Sequence, residues 1–207
     1  NVPGNAYERV GFQNANNSVR VTDQFMEAYL YDKEWRTVSV TTGEVVHTYK
    51  ARQLWNAIAE AAWFCGDPGI QFDTTTNKWH TCKASGRINA SNPCSEYLFL
   101  DDTACNLGSF NLLKFYDGSQ FMVDAFIAAN QTCIAAMEIL VGYSEYPSAA
   151  ISKNSHDFRP LGIGYANLGA LLMHMGYAYD SDVGRSIAGG ITALMSGTCY
   201  AHSATMA

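Results

Sequence analysis

An α/β fold is what the chain predicts, and three observations predict it. Apolar residues recur at spacings of three and four in several stretches, which marks helices with one buried face. Short apolar runs of strand length stand between them. Gly, Pro and Asp separate the two kinds of segment, and this alternation is that of an α/β chain. No internal repeat or linker is visible in the 207 residues.

Gly4, Asn5 and Gly11 punctuate a polar start, and Asn14, Asn16 and Asn17 lead into Ser18 and a short strand at 19–21. Thr22 or Asp23 offers a side-chain acceptor to the free N–H groups of a short helix that ends at Leu30. Residues 37–40 and 45–49 flank Thr41-Thr42-Gly43-Glu44, a hairpin pattern in which Gly43 takes a positive φ. Residues 50–65 read as an amphipathic helix with Leu54, Trp55, Ile58, Ala62 and Cys65 on one face, stopped by Gly66-Asp67-Pro68-Gly69. Ile70-Gln71-Phe72 reads as a short buried strand. The polar run at 74–82, with Trp79, His80 and Cys82 embedded, fits an ordered site wall and an ordinary loop equally well.

Residues 87–100 read as a loop ending in a strand at 97–100, and 107–115 as a second buried strand turned by Asp117-Gly118. Asp124 is placed to cap a long helix reaching Val141, with Ile127, Ile134, Met137 and Val141 buried. Pro147 lies in the next loop. After Arg159-Pro160 a helix is expected, with Leu161, Tyr165, Leu168, Leu172 and Met175 inward and Gly176 closing it. Gly162 and Gly164 then belong to helix packing, since two glycines without a third make no nucleotide fingerprint. Ser181 caps the last helix, whose stripe is Val183, Ile187, Ile191, Leu194 and Thr198. The Gly189-Gly190 pair weakens that helix by about 1 kcal/mol per glycine, and close packing on another helix is one compensation.

Hydrophobic residues make up 48% of the chain and charged residues 15%, a low charged share that implies deep packing or a place in something larger. The net charge of -6, with no basic cluster, argues against a nucleic-acid surface. Asn, Gly and His interrupt the long apolar runs, so no membrane span is expected. The first residue is Asn1, no signal peptide is visible, and 191–207 are still in helical pattern. An internal piece of a longer protein is the expectation. Cys65, Cys82, Cys94, Cys105, Cys133 and Cys199 form no Cys-x-x-Cys pair, which fits a reducing, cytoplasmic setting better than a disulfide scaffold or a zinc framework. His80 with Cys82 offers two ligands, too few for a metal site.

The stretch that stands out is Ser91-Asn92-Pro93-Cys94-Ser95-Glu96-Tyr97. An amide, a thiol and a carboxylate occupy every second position, and in an extended chain all three face one side. Pro93 has no N–H to give, which suits a loop or an edge. Such a tip could present all three groups to one small molecule.

Residues 86–113 resemble the active-site region of ribonucleotide reductase large chains, most closely the adenosylcobalamin-dependent class II type. The likeness also takes in 11–21, 63–82 and 158–172. It implies a ten-stranded α/β barrel of two half-barrels, with a central finger loop carrying the active-site cysteine; residues 1–207 would be part of that barrel domain, with further parts on either side. By that likeness Cys94 is the transient thiyl radical, Glu96 the general base in a dry pocket, and Asn92 the ligand of the substrate hydroxyls. Cys105 is one of the two cysteines that end as a disulfide, its partner lying upstream of this sequence. Asn14, Asn16, Asn17, Ser18 and Ser91 are candidates for contact with substrate, or for simply tying the loop down. The implied partners are a ribonucleotide, a nucleotide effector and a thioredoxin- or glutaredoxin-type reductant, with no nucleic acid and no membrane. Two rivals stay open: the large subunit of a metal-radical (class I) reductase, and an inactive fragment that binds nucleotide or a partner. A thiol hydrolase using Cys94 lacks a positioned histidine, His80 being the nearest in sequence.

Overall fold

The computed structural model describes residues 15–207, and the chain divides at Asp101/Asp102 into two compact units. Among the described residues six strands form three two-stranded ladders, two parallel and one antiparallel. Mixed α/β architecture is thus observed, while a closed ten-stranded barrel is not.

In the first unit, β1 (Ser18–Val21) lies parallel to β4 (Gly69–Phe72), with Arg20 beside Gln71. Helix α1 (Asp23–Leu30) starts where Thr22 Oγ1 accepts the Phe25 N–H at 3.3 Å, so Thr22 rather than Asp23 is the cap. The hairpin is β2 (Glu34–Val38) with β3 (Val45–Lys50), and Gly43 has φ +74°. Helix α2 (Ala51–Cys65) ends at Gly66, whose φ of +84° suits a residue without Cβ. Phe25, Val21, Ala28 and Ala51 form the core here, with Trp35 edge-on to Phe25 at 5.2 Å. The polar run is helical over α3 (Asp73–Trp79) and turns over 81–85, so most of it is not an irregular loop. No strand forms at 97–100. Of the expected buried strand 70–72, Gln71 is the buried member and Phe72 is exposed.

In the second unit, β5 (Asn106–Asn111) passes into a 3-10 turn at Leu112–Phe115, which shortens the expected strand. Helix α4 (Val123–Tyr143) starts after Met122; Asp124 sits inside its first turn and does not cap it. Its buried face is Phe126, Asn130, Ile134, Met137 and Val141, with Ile127 only half-buried. By length and composition α4 is apolar enough to cross a membrane, which the sequence reading did not expect. Its buried face nevertheless packs on β5, β6 and the last helix, and encloses Asn130, whose Nδ2 donates to Phe126 O at 2.7 Å. One face thus packs as a core helix does, while 28% of the apolar stretch is buried.

Helix α5 (Ala149–Phe158), capped by Ser148, was not foreseen. The helix expected after Pro160 begins instead as a strand, β6 (Leu161–Ala166), parallel to β5, and only then becomes α6 (Leu168–His174). Leu161, Ile163 and Tyr165 alternate, a period of two that sparse apolar residues at three and four had masked. The final helix α7 (Asp182–Met206) is capped by Ser181, whose Oγ accepts the Gly184 N–H at 3.0 Å. It buries Gly184, Ile191, Met195 and Cys199, while Val183 is exposed. Gly189 and Gly190 have nothing within 4 Å of an added Cβ, so no close helix packing compensates for them among the described residues. The core centres on Leu112, Phe126, Ile134 and Leu171, with Phe110, Phe115 and Phe121 set around Phe126.

Candidate active site

The loop at 87–97 is irregular, and its order comes from polar contacts within the first unit. Asn92 closes a turn on Tyr97: Oδ1 accepts the Tyr97 N–H at 3.0 Å, and the Asn92 N–H donates to Tyr97 O at 3.3 Å. Ser95 N–H donates to Asn92 O at 3.1 Å and Ser95 has φ +63°. A left-handed backbone at a residue with a Cβ costs roughly 1–2 kcal/mol, so neighbouring contacts must hold it. The chain therefore bends through 93–95, and the extended, one-sided presentation expected from the spacing is replaced by a closed turn. Cys94 and Glu96 are exposed on it, and Asn92 is half-buried. The described residues thus do not enclose Glu96 in a dry pocket.

Two strands hold this turn. Arg20 on β1 donates to Gln71 Oε1 on β4 at 2.9 Å, to Asp73 Oδ1 at 2.8 Å and to Ile88 O at 3.0 Å. Gln71 is 6% exposed, and its Nε2 donates to Ser91 Oγ at 2.6 Å and Ser95 Oγ at 3.0 Å. Ser91 Oγ in turn donates to Asn92 O at 2.8 Å. Asn77 on α3 clamps the backbone of Ile88 from both sides, accepting its N–H at 3.0 Å and donating to its O at 3.2 Å. Arg87 pairs with the second Asp73 oxygen. Burial pushes the Asp73 carboxyl up, but the hydrogen bonds and positive charges of Arg20 and Arg87 outweigh it and hold the group below its ordinary value.

The sequence pattern did not pick out Arg20, Gln71, Asp73 or Asn77. A signal was there in two of them: Arg20 and Gln71 are polar residues inside otherwise apolar strands, where a polar group needs a partner. Of the residues that were picked, Ser91 has its hydrogen committed to Asn92 O. Asn16 Nδ2 donates to Pro93 O at 3.3 Å, and Asn17 O accepts the Gly69 N–H at 2.8 Å, so both tie segments together. Ser18 is exposed on β1, and Asn14 lies outside the described residues.

Cys105 belongs to the second unit, at the entry to β5, and is half-buried. Ala104 N–H before it donates to the buried Ser155 Oγ at 3.0 Å, and Asn106 N–H after it to Pro160 O at 3.3 Å. Gly162, paired with Leu107 across the ladder, comes close to Cys105: an added Cβ would stand 2.8 Å from Cys105 Sγ and 2.5 Å from Leu107 Cδ2. Close approach of β6 to the Cys105 strand, not helix packing, is what that glycine permits. Burial raises the Cys133 thiol, and burial followed by the nearby Cys133 raises the Cys199 thiol, as expected of core cysteines.

Among the described residues no three His, Cys, Asp or Glu side chains gather to hold a metal ion. His80 Nδ1 faces the Cys82 N–H at 3.4 Å, and its buried Nε2 has no hydrogen-bond partner among the described residues. A cavity of about 420 Å³ between β1, α1 and α2 is lined by Val19, Val21, Phe25, Trp35 and Leu54 and touches none of the loop residues. The accessible thiol at the tip of a braced turn, beside a carboxylate and an amide, is the arrangement here with chemical potential.

A family model described as "Ribonucleotide reductase, barrel domain" matches residues 3–207. A vitamin B12-dependent ribonucleotide reductase of Rhodopirellula baltica is 54% identical over all of this chain and 20% of its own length. One of Streptomyces avermitilis is 53% identical over 99% of the chain and 22% of its length. A vitamin B12-dependent ribonucleoside-diphosphate reductase of Mycobacterium tuberculosis is 34% identical over 81% of the chain and 24% of its length. The chain thus spans about a fifth of the length of these curated relatives.

Proposed function

We propose, since the chain belongs to the ribonucleotide reductase barrel-domain family and is homologous to part of the vitamin B12-dependent large chains, that it is part of the catalytic barrel of a longer enzyme. That enzyme reduces ribonucleotides to 2′-deoxyribonucleotides as DNA precursors in the cytoplasm. The observation that carries the reading is the Asn92–Tyr97 turn with the Cys94 thiol exposed upon it. On this reading the turn is the tip of the finger loop inside a ten-stranded barrel.

Cys94 as a thiyl takes the 3′ hydrogen atom of the ribose, a step that runs both ways because S–H and ribose C–H bonds are similar in strength. Glu96 accepts the 3′-hydroxyl proton as general base. Asn92 steadies the ribose hydroxyls, with Nδ2 as the donor, since Oδ1 is engaged by Tyr97. The 2′-hydroxyl takes one proton from the cysteine pair and leaves as water, and Glu96 returns its proton to the 3′ oxygen. Cys105 and a second cysteine supply two electrons and two protons and become a disulfide, and the 3′ hydrogen returns from Cys94. A thioredoxin- or glutaredoxin-type dithiol then restores the pair by exchange. Adenosylcobalamin, if bound by the complete protein, would supply the radical that the exposed Cys94 carries as a thiyl. A nucleotide effector acts elsewhere in the complete protein, and this chain alone is inactive.

The vitamin B12 wording of the relatives' names gives the metal-radical alternative no support. The test uses the complete protein with ribonucleoside di- or triphosphates and a dithiol, with and without adenosylcobalamin. Deoxynucleotide formed only with the cofactor is the expected result. Turnover that needs a metal-containing second subunit instead overturns the cofactor assignment.

A further inference from the structure

We infer that Gln71 is a positioning residue for the Cys94 turn, setting the relation of thiol to carboxylate through Ser95. This rests on the reading above for its catalytic meaning, and on geometry alone for its structural meaning. Arginine offers only donors, so the Gln71 amide can face Arg20 with its oxygen alone. Its Nε2 is thereby aimed at the serine hydroxyls, and the 2.9, 2.6 and 3.0 Å contacts agree with that single orientation. Arg20 is itself fixed by Asp73 and by Ile88 O, so the donor rests on a rigid base.

What Gln71 grips matters. Ser95 stands between Cys94 and Glu96 and carries the turn's left-handed backbone, φ +63°. Rotating that one residue changes where both flanking side chains point. The two serine hydroxyls lie 3.3 Å apart, and Ser91 Oγ passes its own hydrogen to Asn92 O, the acceptor that also takes the Ser95 N–H. The turn is therefore closed twice on a group that Gln71 anchors. Gln71 touches none of Asn92, Cys94 or Glu96 by its own hydrogen bonds, so its role is indirect.

The test compares Gln71→Leu, Ser95→Ala and the double variant in the complete protein, reading turnover, substrate KM, and hydrogen exchange of the Ser95 and Tyr97 amides. Each single variant should lower kcat about ten- to hundredfold, with KM within about threefold, because misplacement costs the chemical step more than ground-state binding. The double variant should cost no more than the worse single one, since both break one link. Amide exchange at Ser95 and Tyr97 should quicken about tenfold in both. Unchanged kcat, or losses that simply multiply and follow thermal stability, overturns the inference. Should Gln71→Leu not fold, Ser95→Ala decides alone. Should wild type not turn over at all, the functional reading fails, and the exchange rates still decide whether Gln71 holds the turn.

Discussion

The two units hold their cysteines by opposite means. In the first, the Cys94 turn has no regular secondary structure and is held by a polar lattice running from Arg20 through Gln71 to Ser91 and Ser95. In the second, Cys105 enters a parallel ladder whose strands pack on Phe126, Leu112 and their aromatic neighbours, and a glycine makes room for its sulfur. The difference teaches that a side chain that must reach outward on an irregular loop is fixed by directional bonds, whereas one set into a strand is fixed by shape. Direction is lost when one partner goes; shape is lost when a volume changes.

The largest effect expected from breaking the polar side is that of Arg20→Leu. The Arg20–Asp73 pair is mostly buried, with side chains 19% and 13% exposed; Arg87 stays on Asp73, so the cost is that of the lost charge-assisted hydrogen bonds, about 2–3 kcal/mol. Denaturant unfolding measures it, and a loss under about 1 kcal/mol would show that the turn does not depend on this lattice. Arg87→Leu, at the exposed side of the same carboxylate, should cost under about 1 kcal/mol.

Breaking the apolar side calls for Gly162→Ala. The added methyl meets Cys105 Sγ and Leu107 Cδ2, and overpacking of this kind costs about 1–3 kcal/mol. The Leu107 end can swing aside, while the sulfur next to the chain has less freedom. Thermal unfolding reports the loss, and wild-type stability would mean that β6 does not approach Cys105 so closely.

Acid sharpens the contrast. Asp73 is held below its ordinary value in the folded chain, so its contribution is complete above the unfolded value of about 4 and fades as pH falls through the folded one. Amide exchange at Ile88 should therefore quicken on acidification before that of the β5–β6 ladder, and Asp73→Asn should remove the pH dependence. The exposed Asp117 is likewise held low, first by the Gln120 N–H and then by Ser119, but it secures only a turn between Tyr116 and Phe121. The smallest effect is a gain. Gly190 on α7 has open space around an added Cβ, so Gly190→Ala should stabilise by about 0.5–1 kcal/mol. A loss instead would mean that another element covers that face.

The helices were legible wherever capping and apolar stripes agreed, as at Thr22, Gly66, Gly176 and Ser181. They were misread where composition concealed the period. Leu161–Ala166 is a strand with glycines on alternate positions, and α5 has few apolar residues to announce it. The three side chains Asn92, Cys94 and Glu96 were legible as a motif. Their presentation was not, because the period-two argument holds only for extended chain and Ser95 breaks it. What braces the turn was hidden for a different reason: Arg20 and Gln71 are 51 residues apart and meet only through a parallel pairing that no local pattern encodes.

One measurement tests the central claim most directly: deoxynucleotide formation by the complete protein carrying Cys94→Ser, with adenosylcobalamin and a dithiol, beside wild type under the same conditions. A hydroxyl is close to the thiol in size, and its much stronger O–H bond keeps it from serving as the hydrogen-atom carrier. The account predicts a folded protein that still binds ribonucleotide and forms no deoxynucleotide above background. Turnover by Cys94→Ser at the wild-type rate would contradict it, and would move the chemistry away from the braced turn.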